Sequence, residues 1–162
     1  MAEILEFNSM MFNSFEPKMK NRFILEIEGL DAYTIKTAKR PSIQFETVTI
    51  DHINIKRKLQ GKGEWQNLEL TLLDPIVPSA AQKVMEWVRT GHESLTGRRG
   101  YADFYKRNIK IKVFGPPGDV IEQWDVRGAF IESADFGELD WSSNDPSEIS
   151  LTIAYDYAVL EF

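Results

Sequence analysis

The chain has 162 residues, a formal net charge of −6 and an isoelectric point near 5.0. With 43% hydrophobic and 27% charged residues it is a globular sequence rather than a mainly disordered one, and its length suits a single domain over 1–162. The acidic balance argues against a dedicated nucleic-acid binder, and the absence of cysteine excludes disulfide scaffolds, thiolate zinc sites and cysteine nucleophiles.

The beginning of the chain lacks the pattern of a secretion signal. Its first 18 residues carry three glutamates where such a signal needs lysine or arginine before an apolar run. No apolar stretch approaches the roughly 20 residues that cross a bilayer, so we expect no membrane insertion by this chain.

The first predicted strand ends at Gly29 and alternates apolar with polar residues. One face carries Phe23, Leu25 and Ile27, and the other carries glutamates. A short partner strand is predicted for 33–37. The pattern is typical of a sheet with one buried face.

A long projecting hairpin is predicted for 43–66. The apolar phase changes between Ile50 and Ile53, so a bulge, bend or turn is expected near 51–52. The stretch 56–64 is basic and contains two glycines, which predicts an exposed loop at the end of the hairpin.

One helix is predicted, over 79–90. Ser79 is a suitable N-cap with Gln82 three residues later, and Gly91 suits the helix end. The helix has an apolar face that includes Trp87, which we expect to pack against the sheet. A strand with the sequence LELTLL precedes it.

The second half of the chain again shows strand patterns. A hairpin is predicted around the loop 115–119, between a strand from Asn108 and the sequence VIEQWDVRGAF. Residues 131–147 are expected to be rich in loops, and 148–162 to form one last strand with Tyr157 on its Ile149 side. The prediction is a mainly β protein of about seven strands, a sandwich or barrel with one flanking helix.

No arrangement of residues in the sequence predicts catalysis. His52 and His92 have no metal-ligand neighbours at a recognised spacing, and neither belongs to a serine-hydrolase motif. Carboxylates able to serve in acid–base chemistry are expected to be solvated loop residues; they are Asp74, Asp135, Glu138 and Asp140. We therefore predict no enzymatic activity, metal or cofactor.

Two groups of aromatic residues have more than one interpretation. Tyr101, Phe104 and Tyr105 lie among basic residues of 98–107, where they are expected to be core anchors, with base stacking as the alternative. The tryptophans are also expected in the core, with an interface as the alternative; they are Trp65, Trp87, Trp124 and Trp141.

The hairpin has features that a monomer does not explain. Ile53 and Ile55 come just before a basic stretch and far from the remaining core residues in sequence. Exposed apolar surface of this kind usually marks a partner, and the acidic remainder of the chain favours self-association. A head-to-tail contact closes into rings or extends into a filament.

Several segments together resemble the tail tube protein family of contractile-tailed bacteriophages, from about residue 12 to 158. They are NRFILEIEGL, KTAKRPSI, KRKLQGKGEW, LELTLLDP, VMEWV, VIEQWDVRGAF and, most specifically, LDWSSNDPSEISLTIAYDYA. The resemblance leaves 1–11 as an N-terminal extension. It implies a barrel-like fold whose hexameric rings stack into a hollow tube inside a contractile sheath, without enzymatic activity.

The resemblance also implies partners and a location. These are the tail sheath protein, a baseplate tube initiator and a tail terminator, in the virion, with assembly in the host cytoplasm. Double-stranded DNA would pass through the tube without specific binding, because six copies at −6 each would repel phosphates.

By the same resemblance the hairpin mediates ring-to-ring contact and contributes to the inner wall. The expected contact residues are Ile53, Ile55, Lys56, Arg57, Lys58, Leu59 and Lys62. The candidate lumen-facing residues are Thr47, Thr49, Asp51, Glu69 and Thr71.

Alternatives remain open at this point. The fold is shared with the type VI secretion tube protein Hcp and with contractile bacteriocin tubes, and a tube initiator or terminator also fits. A different class is a nucleic-acid-binding β-barrel that uses the basic residues between Arg98 and Lys112.

Overall fold

A computed structural model describes residues 16–162 as an antiparallel β-structure with one main helix. The predicted extension 1–11 lies outside these residues. The helices are α1 (Ala80–Gly91) and α2 (Ala102–Tyr105), and a 3-10 turn covers Ala32–Thr34. The strands are β1 (Phe23–Ile27), β2 (Ile35–Ala38), β3 (Ser42–His52), β4 (Ile55–Gln66), β5 (Leu68–Leu73), β6 (Arg107–Phe114), β7 (Val120–Asp135), β8 (Glu148–Ala154) and β9 (Tyr157–Leu160).

The main sheet has the order β1-β6-β7-β8-β5-β2, with β9 also paired to β7. The 16-residue strand β7 connects two parts of this sheet, because its first half pairs with β6 and β9 and its second half with β8. Gly128 lies where the pairing changes and has φ +67°. A Cβ atom there would lie 2.1 Å from Asp156 Oδ2, so the bend requires glycine.

The core lies between the inner face of the sheet and α1. Leucine and isoleucine side chains alternate inward along β1, β5, β6 and β8, as the period-2 pattern predicts. The helix contributes Ala80, Val84 and Trp87 to this core. The Trp87 indole Nε1 donates a hydrogen bond to the Tyr105 carbonyl at 2.7 Å, so its one polar atom is satisfied.

The predicted helix is confirmed together with its N-terminal cap. Ser79 precedes the helix in an extended conformation and its hydroxyl accepts a hydrogen bond from the Gln82 N–H at 3.4 Å. Asp74 adds a second cap, since its Oδ1 accepts from the Ala80 N–H at 3.0 Å. The helix continues through Gly91, one residue beyond the predicted end.

The mainly β fold with a flanking helix and a projecting hairpin is confirmed, but the strand count is nine rather than about seven. The predicted last strand is two strands, β8 and β9, and Tyr157 is half exposed instead of buried beside Ile149. The break follows from Asp156, whose N–H donates to the Arg127 carbonyl at the bend of β7. The region predicted as loop from 131 remains strand up to Asp135.

Two further expectations are corrected by the pairing. The segment predicted as a strand over 33–37 begins with a 3-10 turn, and β2 pairs with β5 rather than with β1. The stretch 56–64, predicted as an exposed loop, is the returning strand β4, and the turn of the hairpin is at Ile53 and Asn54. Gly63 in that stretch is paired with Phe45, and Gly61 lies where the register shifts.

A buried carboxylate fixes the root of the hairpin. Glu122 on β7 is 4% exposed and forms ion pairs with Lys18 and with Arg40, which lies two residues before β3. Its Oε1 also accepts a hydrogen bond from Trp124 Nε1 at 2.6 Å. Burial alone raises the pKa of Glu122, but the hydrogen bonds from these three residues outweigh burial and hold the pKa below its ordinary value.

Stability is expected to depend on pH through Glu122. Because its pKa is lower in the folded chain, the contribution is complete above the ordinary value of 4.5 and is lost as the pH falls through the lower folded pKa. We expect Glu122→Gln to lower the free energy of unfolding by about 2 kcal/mol at pH 7 and by much less at pH 3. Denaturant titrations at both pH values measure the difference.

Glu26→Gln is the matched control for this prediction. Glu26 is also paired with a lysine, Lys112, but its side chain is about half exposed. We expect the control to change the free energy of unfolding by less than about 1 kcal/mol at either pH. Equal effects of the two substitutions would contradict the assignment of Glu122 as a buried ionic contact.

Candidate functional site

The hairpin is a two-stranded sheet of β3 and β4, separate from the main sheet. The register pairs Thr47 with Gln60 but Phe45 with Gly63, so β4 has one extra residue opposite Glu46. This bulge divides the hairpin into a proximal half next to the main sheet and a distal half, residues 47–60. The apolar residues change from one face of the hairpin to the other at this point, because an extra residue reverses the phase of β4.

The apolar residues of the proximal half share one face, on which Ile43 and Phe45 remain 42% and 45% exposed. Ile43 and Phe45 lie against Gly63, where a Cβ atom would be 2.8 Å from the Phe45 ring. Trp65 on the same face packs against the core, with its ring 6.0 Å from that of Tyr155. The close approach of the Phe45 ring explains why glycine stands at 63.

The distal half has its apolar face on the opposite side. Paired residues point to the same side, so Val48 and Leu59 are neighbours there, as are Ile50 and Arg57. Val48 is 49% and Leu59 is 53% exposed, so contact between the two side chains on this face leaves about half of each accessible to solvent. The chain therefore presents an apolar strip on a projecting hairpin that nothing within residues 16–162 covers.

The predicted contact residues are distributed over both sides of the distal half. Ile55, Arg57 and Leu59 lie on the apolar face, whereas Lys56 and Lys58 lie on the polar face. Ile53 is at the turn, and Lys62 is next to the bulge. The sequence did not identify Val48 and Ile50 as members of this apolar face. Only the cross-strand register, which pairs Val48 with Leu59 and Ile50 with Arg57, shows that they share it with the β4 residues.

The candidate lumen residues lie on two separate sheets. Thr47, Thr49 and Asp51 share the polar face of the distal hairpin with Lys56 and Lys58. Glu69 and Thr71 point outward from β5, opposite the buried leucines of that strand. Outward residues of the neighbouring strands continue this second surface in register; they are Thr37, Ser133, Asp135, Ser150 and Thr152.

This outer surface of the main sheet consists of short polar side chains. Hydroxyl and carboxylate groups occupy it on β5, β8 and the second half of β7. From Gly128 to the end of the sequence there is no lysine or arginine, while eight residues are aspartate or glutamate. The surface therefore has few positive charges with which to hold phosphates.

The residues considered for catalysis have structural roles. Asp74 caps α1, and Asp140 Oδ1 accepts hydrogen bonds from the Ser142 N–H and hydroxyl, which lower the pKa of Asp140. His92 follows α1 as its C-cap, and His52 is beside the hairpin turn. Within residues 16–162, no group of three or more potential ligand side chains is arranged to hold a metal ion.

The basic stretch proposed for nucleic-acid binding is divided by internal contacts. Lys106 pairs with Asp156, and Lys112 pairs with Glu26. Arg107 stacks over the Trp87 ring at 4.9 Å, and Arg98 and Arg99 remain exposed. The basic residues therefore do not form one continuous face for a phosphate backbone.

Several aromatic residues expected in the core lie on the surface instead. Tyr101 is 80% and Phe104 is 66% exposed, whereas Tyr105 packs edge-on against Phe130. Trp141 is fully exposed, while Trp87 is buried. Trp65 and Trp124 pack at the margin of the core, so the core expectation holds for three of the four tryptophans.

The described part of the chain has two helices. Neither α1 nor α2 combines the length and apolar character that crossing a bilayer requires.

Solved structures of contractile injection systems have the same fold. An extracellular contractile injection system sheath–tube complex (PVC) contains a chain with a TM-score of 0.71 and 19% identity, over 90% of this chain and 91% of that one. The tube-terminating cap of the anti-feeding prophage gives a TM-score of 0.74 and 21% identity, over 99% of both chains. Hcp1 from Flavobacterium johnsoniae gives 0.54 and 12%, over 86% of this chain and 94% of its own.

Sequence comparison gives the family. No curated protein matches the chain significantly. The model of the T4-like virus tail tube protein gp19 family, however, matches residues 19–159, which is most of the sequence and includes the hairpin, α1, the strands β1 to β8 and all but the last residue of β9. The chain therefore belongs to the T4-like virus tail tube protein gp19 family.

Proposed function

We propose that this tail tube protein forms hexameric rings that stack into the hollow tube of a contractile tail, and that phage DNA passes through this tube into the host. The observation that carries the proposal is the uncovered apolar strip on the distal hairpin, in a chain whose family is that of a tube subunit. A structural polymer needs such a surface, since each copy must bury apolar area against the next.

The hairpin makes the ring-to-ring contact in this proposal. It projects from one end of the main sheet, so a copy that receives it must present a different surface, and the contact is head-to-tail. A head-to-tail contact between successive rings leaves the same surfaces free at the two ends of the stack. Further rings can therefore add, which produces a tube rather than a finite oligomer. Ile53, Ile55 and Leu59 supply apolar contacts, and the contact also includes Lys56, Arg57, Lys58 and Lys62.

The inner wall is assigned to the polar surfaces. Thr47, Thr49 and Asp51 of the hairpin and Glu69 and Thr71 of β5 face the lumen in this proposal. The hydroxyl and carboxylate side chains of β5 give DNA no positive groups to pair with. Lys56 and Lys58, which share the polar face of the hairpin, belong to the ring-to-ring contact in this proposal, so double-stranded DNA passes without specific binding. The role is structural, and no residue is assigned to catalysis.

The proposed partners are the other components of a contractile tail. Structural neighbours come from a sheath–tube complex, a sheath/tube terminator and a baseplate. We propose a sheath protein around the tube, an initiator at the baseplate and a terminator at the far end. The protein is then a component of the virion tail that assembles in the host cytoplasm.

A second candidate is a terminator or initiator ring, because the likeness to a tube-terminating cap covers 99% of both chains. A terminator makes one ring and stops, whereas a tube subunit polymerises. Self-assembly therefore separates the two roles.

Electron microscopy of the purified protein over a concentration series tests the proposed function. We expect rings with sixfold symmetry at low concentration and hollow tubes of stacked rings at high concentration. Light scattering is expected to show mass increasing in steps of one ring. Single rings at every concentration would favour the terminator, and a monomer that also fails to assemble on an added tube end would contradict both roles.

A further inference from the structure

The main sheet has two ends of different character. Leu68, where β5 begins beside the hairpin, pairs with Ile153, and Leu73 at the other end pairs with Glu148. The loops 74–79 and 136–147 therefore lie at the end opposite the root of the hairpin. A hydrogen bond of 3.1 Å from the Asp74 N–H to the Ser147 carbonyl joins the bases of these two loops, which we call the far-end loops.

The far-end loops expose large apolar side chains. Leu139 is 93% exposed and Trp141 completely so, although both are surrounded by polar residues in the sequence. Ile76 and Val77 in the other loop are 95% and 85% exposed. These four residues, in two loops whose bases are hydrogen-bonded to each other, expose apolar area of the kind that usually marks contact with a partner.

A groove at this end carries negative charge. It has a volume of about 640 Å³, and its lining includes Glu138, Leu139, Asp140 and Asp145. The one lysine in its lining, Lys36, is paired with Glu148. The groove therefore offers uncompensated carboxylates next to an apolar side chain.

The distal hairpin has the complementary composition. Its basic residues, Lys56, Arg57 and Lys58, outnumber its one acidic residue, Asp51. The apolar residue Ile53 lies in the turn, and Ile55 lies between the turn and these basic residues. Basic and apolar groups at one end of the molecule thus match acidic and apolar groups at the other.

The turn of the hairpin has an unfavourable residue for its conformation. Ile53 has φ +53°, a left-handed conformation that costs a β-branched residue about 1–2 kcal/mol and that glycine or asparagine adopts more easily. Its side chain is also 93% exposed, so no contact from residues 16–162 of the same copy offsets this cost. Burial of the Ile53 side chain against a second copy would explain why an apolar residue occupies this position.

We propose that the far-end loops of one copy receive the distal hairpin of a second copy in the neighbouring ring, with Ile53 and Ile55 against Leu139 and Trp141 and the hairpin cations beside Glu138 and Asp140. This inference rests on the proposed function and names the partner surface of the hairpin. It also fixes the polarity of the tube, since every hairpin points toward the far end of the next ring.

Cross-linking tests the contact without background, because the chain has no cysteine. Ile53→Cys and Leu139→Cys variants are mixed under conditions of tube assembly and treated with a short bismaleimide. Leu95→Cys is the matched control, since Leu95 is also 93% exposed but lies outside the far-end loops. We expect a covalent dimer in the mixture of the first two variants and none when Leu95→Cys replaces Leu139→Cys.

The outcomes separate this inference from the proposed function. Tubes without the dimer, or equal cross-linking with the control, would overturn the far-end contact and leave the tube role standing. If wild-type protein forms neither rings nor tubes, the proposed function fails and the inference with it.

A charge-reversal series is the second measurement, in case a cysteine itself disturbs assembly. We expect Arg57→Glu and Glu138→Lys each to lower the fraction of protein in tubes about tenfold, as loss of a close charge pair predicts. The combination is expected to restore assembly. No recovery in the combined variant, with tubes formed by the wild type, would overturn the contact.

Discussion

Replacing Val48 and Leu59 together with glutamate is expected to abolish tube formation and to leave the fold unchanged. The two side chains are a cross-strand pair on the apolar face of the distal hairpin, and each is about half exposed. Burying their exposed halves contributes about 2 kcal/mol to each ring-to-ring contact. That loss alone weakens a contact roughly 30-fold, and two buried carboxylates without partners weaken it further.

The same variant is expected to keep its melting temperature within about 2 °C, because neither side chain belongs to the core. Sedimentation of assembled protein and circular dichroism measure the two properties separately. Thr49→Glu is the matched control, since Thr49 is on the same hairpin but on its polar face. We expect it to form tubes, and failure of the control to assemble would show that both faces are in contact between rings.

Much of the hairpin follows from its sequence. The change of apolar phase after Ile50 predicts a turn near 51–52, and the structure places it at 53–54. The strand β4 could not be predicted, because its lysines and glycines are typical of a loop when one chain is considered alone. They form a strand because β3 supplies the backbone hydrogen-bond partners. The exposed apolar residues of the hairpin favour contact with a neighbouring copy over contact with water.

The core of the main sheet was predictable for a simpler reason. Leu68, Leu70 and Leu72 alternate with polar residues, and alternation gives the buried face directly. The division of the last strand was not predictable in this way, because Tyr157 continues the same alternation. Its cause is the contact of Asp156 with the bend at Gly128, which depends on tertiary structure.

The surfaces between copies are the least predictable part. Trp141 has the same residue type as Trp87, and local sequence does not show that one is fully exposed and the other buried. A tryptophan in a loop gains from burial in a second copy as much as in its own core. In the proposed contact, the hairpin of a neighbouring copy covers the Trp141 side chain, and local sequence does not identify that partner surface.

Trp87→Ala is expected to be the most destabilising single substitution among the tryptophans. Trp87 is 1% exposed and joins α1 to the sheet, so its removal leaves a cavity beside Val84 and an unpaired Tyr105 carbonyl. Such changes lower the free energy of unfolding by about 3–5 kcal/mol. For a chain of this length we expect the melting temperature to fall by roughly 8–16 °C.

Trp141→Ala makes the same chemical change at a fully exposed side chain and is the control for this prediction. We expect it to change the free energy of unfolding by less than about 0.5 kcal/mol, while tube assembly falls because the far-end loops lose an apolar contact. Thermal unfolding followed by circular dichroism, together with electron microscopy, distinguishes the two variants. An equal loss of stability in the two variants would mean that Trp141 packs within its own copy. The expected result is that Trp87→Ala mainly lowers the stability of the subunit, whereas Trp141→Ala mainly lowers the assembly of subunits.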